Sequence, residues 1–194
     1  MKKIVLVVLS MAFGFGISQA QVDKSFYNKS YESRNNGTFD KSTMLVSFGL
    51  GIPSYHPGSF NASPAFYGKF EHGLLRDEVG LGGYISTGWG SYKYGNGDKD
   101  KFSAFGLGVL GYYHFNKLIP IEKMDVYAGA GLAFRRRAYN YDDSFGNDYD
   151  YTDSDVIFVV KVGIRYYVVK NFAVYAESGW DDMSSANFGG SFRF

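Results

Sequence analysis

The sequence predicts an all-β chain, an eight-stranded antiparallel up-and-down transmembrane β-barrel, and three observations carry that prediction. Apolar residues recur with period two in eight separate stretches. Glycine and aromatics are abundant, with 25 Gly, 17 Tyr and 18 Phe in 194 residues, beside only 4 Pro. The first twenty residues have the form of an export signal. An aromatic fraction of 19% in a chain of negative mean hydropathy suits strands that show apolar side chains to one medium and polar ones to another.

The signal comes first in the chain. Met1-Lys2-Lys3 is a short cationic start, Ile4 to Ile17 is an apolar run broken by Ser10 and glycines, and Ser18-Gln19-Ala20 places small residues before Gln21. This three-part pattern predicts a secretory signal peptide over residues 1–20. The run is shorter than the roughly 20 residues a helical bilayer span needs. No later stretch is long and apolar enough for such a helix, so a membrane-embedded mature chain has to cross with closed strands. Residues 21–41 are polar, without sustained periodicity, and are expected to be a flexible N-terminal segment. Residues 42–194 are expected to form the barrel.

Eight stretches alternate from Ser42 onward. Met44, Val46, Phe48, Leu50 and Ile52 share a face opposite Ser47, Gly49 and Gly51. Phe66 and Phe70 oppose Tyr67, Lys69 and Glu71. Val79, Leu81, Ile85 and Trp89 oppose Gly80, Gly82, Tyr84 and Ser86. Phe105, Leu107, Val109, Tyr113 and Phe115 oppose Ala104, Gly106, Gly108 and His114. Val126, Ala128, Ala130, Leu132 and Phe134 oppose Tyr127, Gly129, Gly131, Ala133 and Arg135. Val156, Phe158, Val160, Val162 and Ile164 oppose Lys161, Gly163 and Arg165. Val174 and Ala176 oppose Tyr175, Glu177 and Gly179. Phe188, Phe192 and Phe194 oppose Asn187, Ser191 and Arg193. An even count suits a closed bacterial barrel, and ten residues at about 3.3 Å each and a tilt near 40° rise about 25 Å, the height of the apolar band.

Energy decides which face meets lipid. Each Lys or Arg held near the bilayer midplane costs about 2–4 kcal/mol, and several together exceed the roughly 5–15 kcal/mol that holds a domain folded. The apolar face is therefore expected outward. The inward set is then Lys69, Glu71, Arg135, Lys161, Arg165, Glu177 and Arg193, with glycines making room for the long side chains in a lumen just wide enough to be filled. Arg136 has outward parity at a strand's loop end, where the penalty is small. The bland expectation for the inward set is a plug of ion pairs, because buried charges need partners; the sharper one is an ion or anion path, because cations outnumber acids. Trp89, Trp180, Tyr113 and Tyr166 fall near strand ends, where interfacial aromatics belong.

Both ends of the barrel have expected connections. With both termini periplasmic, the outer ones lie around Ser54–Asn61, Tyr94–Lys101, Asp142–Asp155 and Asp181–Ser185. The inner ones, near Leu74–Arg76, Asn116–Lys123 and Val169–Asn171, are expected to be short.

At this point the chain resembles the small eight-stranded outer-membrane barrel families, of the OmpA and OmpX type and the outer membrane protein beta-barrel group of Bacteroidetes-like bacteria. The resemblance covers Ser42 to Phe194. It rests on Phe188-Gly189-Gly190-Ser191-Phe192-Arg193-Phe194, which ends on an aromatic with Phe at alternate positions, and on the Gly-rich Tyr127-Ala128-Gly129-Ala130-Gly131-Leu132. It implies that Phe188, Phe192 and Phe194 form the signal read by the barrel-assembly machinery. It also implies residence in the outer membrane of a Gram-negative bacterium among lipid and lipopolysaccharide. It implies no activity.

Chemistry is sparse. There is no cysteine, which removes disulfides, thiolate metal sites and cysteine nucleophiles. A formal charge of +1 advertises no nucleic acid. The acidic run Asp142, Asp143, Asp148, Asp150, Asp153 and Asp155 does not match an EF-hand loop; its first four members are candidates for loose contacts with divalent cations at the lipopolysaccharide surface. The histidines are His56, His72 and His114, of which the last two lie at periplasmic ends, and no nucleophile–base–orienter set emerges. No enzyme activity, no metal centre and no cofactor is expected. The expected role is structural or surface-interacting through outer loops, with an unidentified surface ligand; the alternative is a narrow porin-like transporter of small or hydrophobic solutes.

Overall fold

The computed structural model describes residues 38–54, 61–74, 76–93, 99–141 and 149–194. The export signal, residues 21–37 and His56 lie outside the described residues, as do Asp142, Asp143 and Asp148. Eight antiparallel strands make up the fold: β1 (Met44–Pro53), β2 (Ala65–Gly73), β3 (Val79–Lys93), β4 (Lys99–His114), β5 (Met124–Tyr141), β6 (Tyr149–Val169), β7 (Phe172–Trp180) and β8 (Ser184–Arg193). A two-residue stub, Asn61–Ala62, pairs with the upper part of β3. Each strand pairs with its sequence neighbours, and β8 closes on β1 through Leu45↔Arg193, Phe48↔Gly190 and Gly51↔Asn187. Every strand thus has two partners, and the sheet is a closed barrel.

Alternation survives in three dimensions. Phe48, Ile52, Leu81, Ile85, Leu107, Val109, Leu132, Phe158, Val162 and Phe188 are exposed on the outside, whereas Tyr67, Glu71, Tyr84, Tyr127, Lys161, Arg165, Tyr175 and Glu177 are buried within. Trp89 and Trp180 sit on the outer face toward one end, Tyr113 and Tyr166 toward the other.

Glycine and tyrosine share the lumen by pairing across strands. Gly49 is opposite Tyr67, Gly108 opposite Tyr84, Gly129 opposite Tyr112, Gly163 opposite Tyr127, and Gly189 opposite Tyr175. At Gly108, Gly129 and Gly163 an added Cβ would collide with the ring of that same partner. Each of these rings therefore lies down on a bare backbone, which packs an aromatic flat against a narrow wall. Gly108→Leu is expected to cost about 1–3 kcal/mol by driving the Tyr84 ring off its seat, read as a lower urea midpoint of the refolded barrel. A midpoint unchanged from wild type would show that the ring has free space.

Two expectations need correction. The strands are not uniformly about ten residues long: β1, β2, β7 and β8 have 10, 9, 9 and 10 residues, but β3 to β6 have 15, 16, 18 and 21. The β3–β4 and β5–β6 hairpins keep pairing past the apolar belt, up to Lys93↔Lys99 and Tyr141↔Tyr149. Lys99–Lys101 and Tyr149–Asp155, expected in loops, are strand. Beyond the belt both faces of a strand meet water, so the alternation that marks strands lower down is lost while the hydrogen-bond ladder continues. The second correction follows from the first. Connection 115–123, at the end where β8 terminates, is longer than connections 94–98 and 142–148 at the other end, because chain expected in those loops is spent in the hairpins.

Residues 38–43 precede β1 and tuck into the mouth at the end where β8 terminates. Thr38 and Phe39 are buried there, so the packed part of the described chain begins before Ser42. Asp40 accepts hydrogen bonds from the Ser42 amide (2.8 Å), the Ser42 hydroxyl (2.7 Å) and Thr43 Oγ1 (3.1 Å). Partial burial alone would raise its carboxyl pKa, but these bonds favour the carboxylate and hold it below its ordinary value.

Candidate functional site

The charged residues of the lumen gather into two buried clusters and one rim cluster. In the middle cluster β2 supplies Lys69, β6 Lys161, β7 Glu177 and β8 Asn187, all by inward parity. Lys69 Nζ donates to Glu177 Oε1 (2.8 Å) and Asn187 Oδ1 (2.7 Å), and Asn187 Nδ2 donates to Glu177 Oε1 (3.1 Å). Lys161 Nζ reaches Asp181 Oδ2 (2.5 Å) and Glu177 Oε1 (3.3 Å). Tyr67 donates to Asp181 Oδ2 (2.7 Å) and Tyr127 to Glu177 Oε2 (3.1 Å). Both ammonium groups also lie over aromatic faces, Lys69 at 4.4 Å from the Tyr175 centroid and Lys161 at 5.0 Å from that of Tyr67.

The lower cluster joins Glu71 (β2), His114 (β4), Asp125 (β5) and Arg165 (β6). His114 Nε2 lies 2.6 Å from Glu71 Oε1 and its Nδ1 2.8 Å from Asp125 Oδ1. Arg165 donates from Nη2 to Glu71 Oε2 (2.5 Å) and from Nη1 to Asp125 Oδ2 (2.9 Å), with its guanidinium 4.0 Å from the Tyr127 centroid. All four carboxylate oxygens have a partner, and the four side chains close a cycle.

At the opposite rim Arg135 pairs with Asp182, Asp153 (3.1 Å) and Asp155 (2.5 Å), and Arg137 pairs with Asp182 (2.6 Å). Arg193, at the mouth where β8 ends, donates to the Thr38 carbonyl (3.0 Å) and lies over the Tyr167 ring at 4.7 Å. The structure thus distributes Lys69, Glu71, Arg135, Lys161, Arg165, Glu177 and Arg193 over three levels and the lower mouth. They do not form a single site.

The surplus of cations in that set disappears once Asp125, Asp153, Asp155, Asp181 and Asp182 are counted, and these acids are what residue-by-residue reasoning missed. Asp125 continues the inward parity of Tyr127 and Gly129 and was legible. Asp181 was expected in an outer loop; it is buried because the tight turn 181–183 folds inward, its Oδ1 accepting from the amides of Met183 (2.9 Å) and Ser184 (3.0 Å). Of the acidic run, Asp150 sits on β6 and accepts from Asn140 Nδ2 (2.7 Å), while Asp153 and Asp155 point to Arg135. Phe188, Phe192 and Phe194 are exposed on the outer face, and Phe194 is tied to Met44 by a backbone bond of 3.0 Å.

No protein-family model matches the sequence, and no curated protein matches it. Solved structures do. The outer membrane protein OprG of Pseudomonas aeruginosa superimposes with a TM-score of 0.51 at 10% identity, over 80% of this chain and 97% of that one. Ail, the attachment invasion locus protein of Yersinia pestis, gives 0.50 at 11% identity over 80% and 99%. A major outer membrane protein of Thermus thermophilus gives 0.50 at 12% identity over 78% and 99%. With eight strands closed on themselves, an apolar exterior and a charged interior, the chain has the fold of the small eight-stranded outer-membrane β-barrels.

Proposed function

We propose that the chain is an integral protein of a Gram-negative outer membrane, exported by residues 1–20, with a closed lumen and a surface-interaction role carried by its projecting hairpins. The observation that carries this is the division of side chains: an apolar belt faces out on every strand, while inside Lys69–Glu177 and Arg165–Glu71 bridge non-adjacent strands and Lys161, Asp125 and Asp181 pair beside them. Those bridges occupy the bore of an eight-stranded barrel, where little space remains for an aqueous path. No enzyme activity belongs to this proposal.

The projecting wall supports an outward role. On β5 the outer face turns polar at Arg136, and residues 136–141 rise roughly 15 Å beyond the belt at about 3.3 Å per residue and a tilt near 40°. Its inner side carries Phe102, Tyr139, Tyr141, Tyr149 and Tyr151, with Tyr139 and Tyr141 stacked at 6.3 Å. Tyr141, Tyr149 and Tyr151 are exposed, and tyrosine offers broad adaptable contact surface. Lipid and lipopolysaccharide are the surroundings of the belt, with divalent cations bridging the acidic residues Asp142, Asp143, Asp148 and Asp150 to the lipid surface. The barrel-assembly machinery reads Phe188, Phe192 and Phe194 during biogenesis.

The test is conductance of the refolded barrel in a planar bilayer. Insertion with a silent trace is the expected result. Reproducible ion-conducting steps would overturn the closed lumen and favour a narrow transporter.

A further inference from the structure

The mouth at which β8 ends is filled by the chain's own Phe39, and what Phe39 rests on is the His114 ring. The two rings are stacked at 3.5 Å between centroids and 9° between planes, and both are 0% exposed. His114 in turn is held by carboxylates on both sides. A neutral imidazole has one N–H and one lone pair. With Glu71 Oε1 at 2.6 Å from Nε2 and Asp125 Oδ1 at 2.8 Å from Nδ1, a neutral ring would set a lone pair against a carboxylate in a dry interior. Only the imidazolium donates to both. It also balances the cluster: two carboxylates face one guanidinium and one imidazolium, whereas a neutral ring leaves one buried negative charge without compensation.

The strap is tied to this cluster through Phe39 and Asn116, and to the barrel wall by two further bonds. Phe39 lies on the cationic ring, an attractive arrangement for an aromatic face. Asn116, with its amide oriented to match its neighbours, donates to Asp125 Oδ1 (3.1 Å) and accepts from the Phe39 amide (3.3 Å). Thr43 accepts from the Gly73 amide (2.9 Å), and Arg193 donates to the Thr38 carbonyl. The groups facing His114 are therefore Glu71 on β2, Asp125 and Tyr127 on β5, Arg165 on β6, Asn116 in the β4–β5 connection and Phe39 on the strap. The Lys117–Glu78 pair (2.7 Å) flanks the site, and the Glu78 carbonyl accepts from the His114 amide (2.7 Å).

We propose that residues 38–43 are a stopper latched by the protonated His114 ring, so that the lower mouth is shut while the ring carries both protons and is released when it loses one. The latch stands whether or not the barrel's outer surface binds anything. The sign follows from the charge count: the stopper is seated at low and neutral pH and loosens as pH rises.

Two measurements on the full chain refolded in lipid vesicles or detergent micelles decide it. Nitrogen NMR of ¹⁵N-histidine protein is expected to show a ring at His114 with both nitrogens protonated at pH 7; a neutral tautomer there overturns the latch. Hydrogen–deuterium exchange of amides 38–43 is expected to be at least tenfold faster at pH 7 in His114→Gln than in wild type, with the strand amides unchanged. Glutamine donates and accepts but carries no charge, so unchanged protection also overturns the proposal. Should His114→Gln fail to fold, Phe39→Leu, which keeps an apolar side chain but loses the stack on the imidazolium, is compared with wild type at pH 7. A tenfold rise confined to 38–43 supports the latch, and its absence overturns it.

Discussion

Replacing Lys161 by alanine is expected to destabilise the refolded barrel by about 3–5 kcal/mol, the cost of stranding a buried charge. Lys161 is 2% exposed and, among the described residues, is the ammonium paired with Asp181, which is itself buried. Glu177 keeps Lys69 at 2.8 Å when Lys161 is gone, but among the described residues Asp181 keeps the Tyr67 hydroxyl and the backbone amides of Met183 and Ser184, none of them charged. The loss should therefore fall on Asp181. The double variant Lys161→Met with Asp181→Asn, which removes both charges while keeping much of the volume, should recover most of it. Urea unfolding in phospholipid vesicles, followed by the shift in gel migration on heating, measures both. A single-variant cost below about 1 kcal/mol, typical of solvent-exposed pairs, would mean that water reaches the cluster, and the closed lumen would fall with it.

An arginine in place of Leu132 is expected to cost about 2–4 kcal/mol of folding free energy in a bilayer, against about 0–1 kcal/mol for arginine at Ala138 on the same strand. Both positions point outward from β5. Leu132 is 58% exposed on the belt, flanked by Val109 and Phe158, whereas Ala138 stands above Arg136 with Ser103 and Thr152 as its neighbours. The difference isolates depth in the hydrocarbon from strand chemistry. Equal costs in vesicles at the two positions would show that the exposed apolar face does not meet acyl chains, and the membrane placement would have to be abandoned.

Legibility differed from one class of feature to the next. Alternation exposed the belt because the contrast between media is perpendicular to each strand, so Phe48, Ile85 and Val162 declare their side within a few residues. It was blind to apolar residues of the wrong parity: Leu45, Leu110 and Val159 are buried inside, the last two among the tyrosines, although each has an apolar outward neighbour in sequence. It also failed above the belt. Tyr149–Asp155 has no apolar face to mark it, so its strand is visible only as a ladder with Arg135–Tyr141. The cation surplus of the inward set was the best unused clue, since a dry lumen cannot hold it and further acids had to be present. His114 carried correct inward parity, but its two carboxylate partners come from two other strands, β2 and β5.

By itself the sequence determined the strand number, the two faces and the closure they demand, because side-chain period two and the cost of charge in hydrocarbon are local properties of each segment. Only the tertiary structure decided which charges meet, how far the hairpins project and that Phe39 fills a mouth. Lys69 meets Glu177 across 108 residues and Arg165 meets Glu71 across 94. Such pairs depend on the stagger with which strands close around the barrel, a collective quantity that no single strand's pattern encodes.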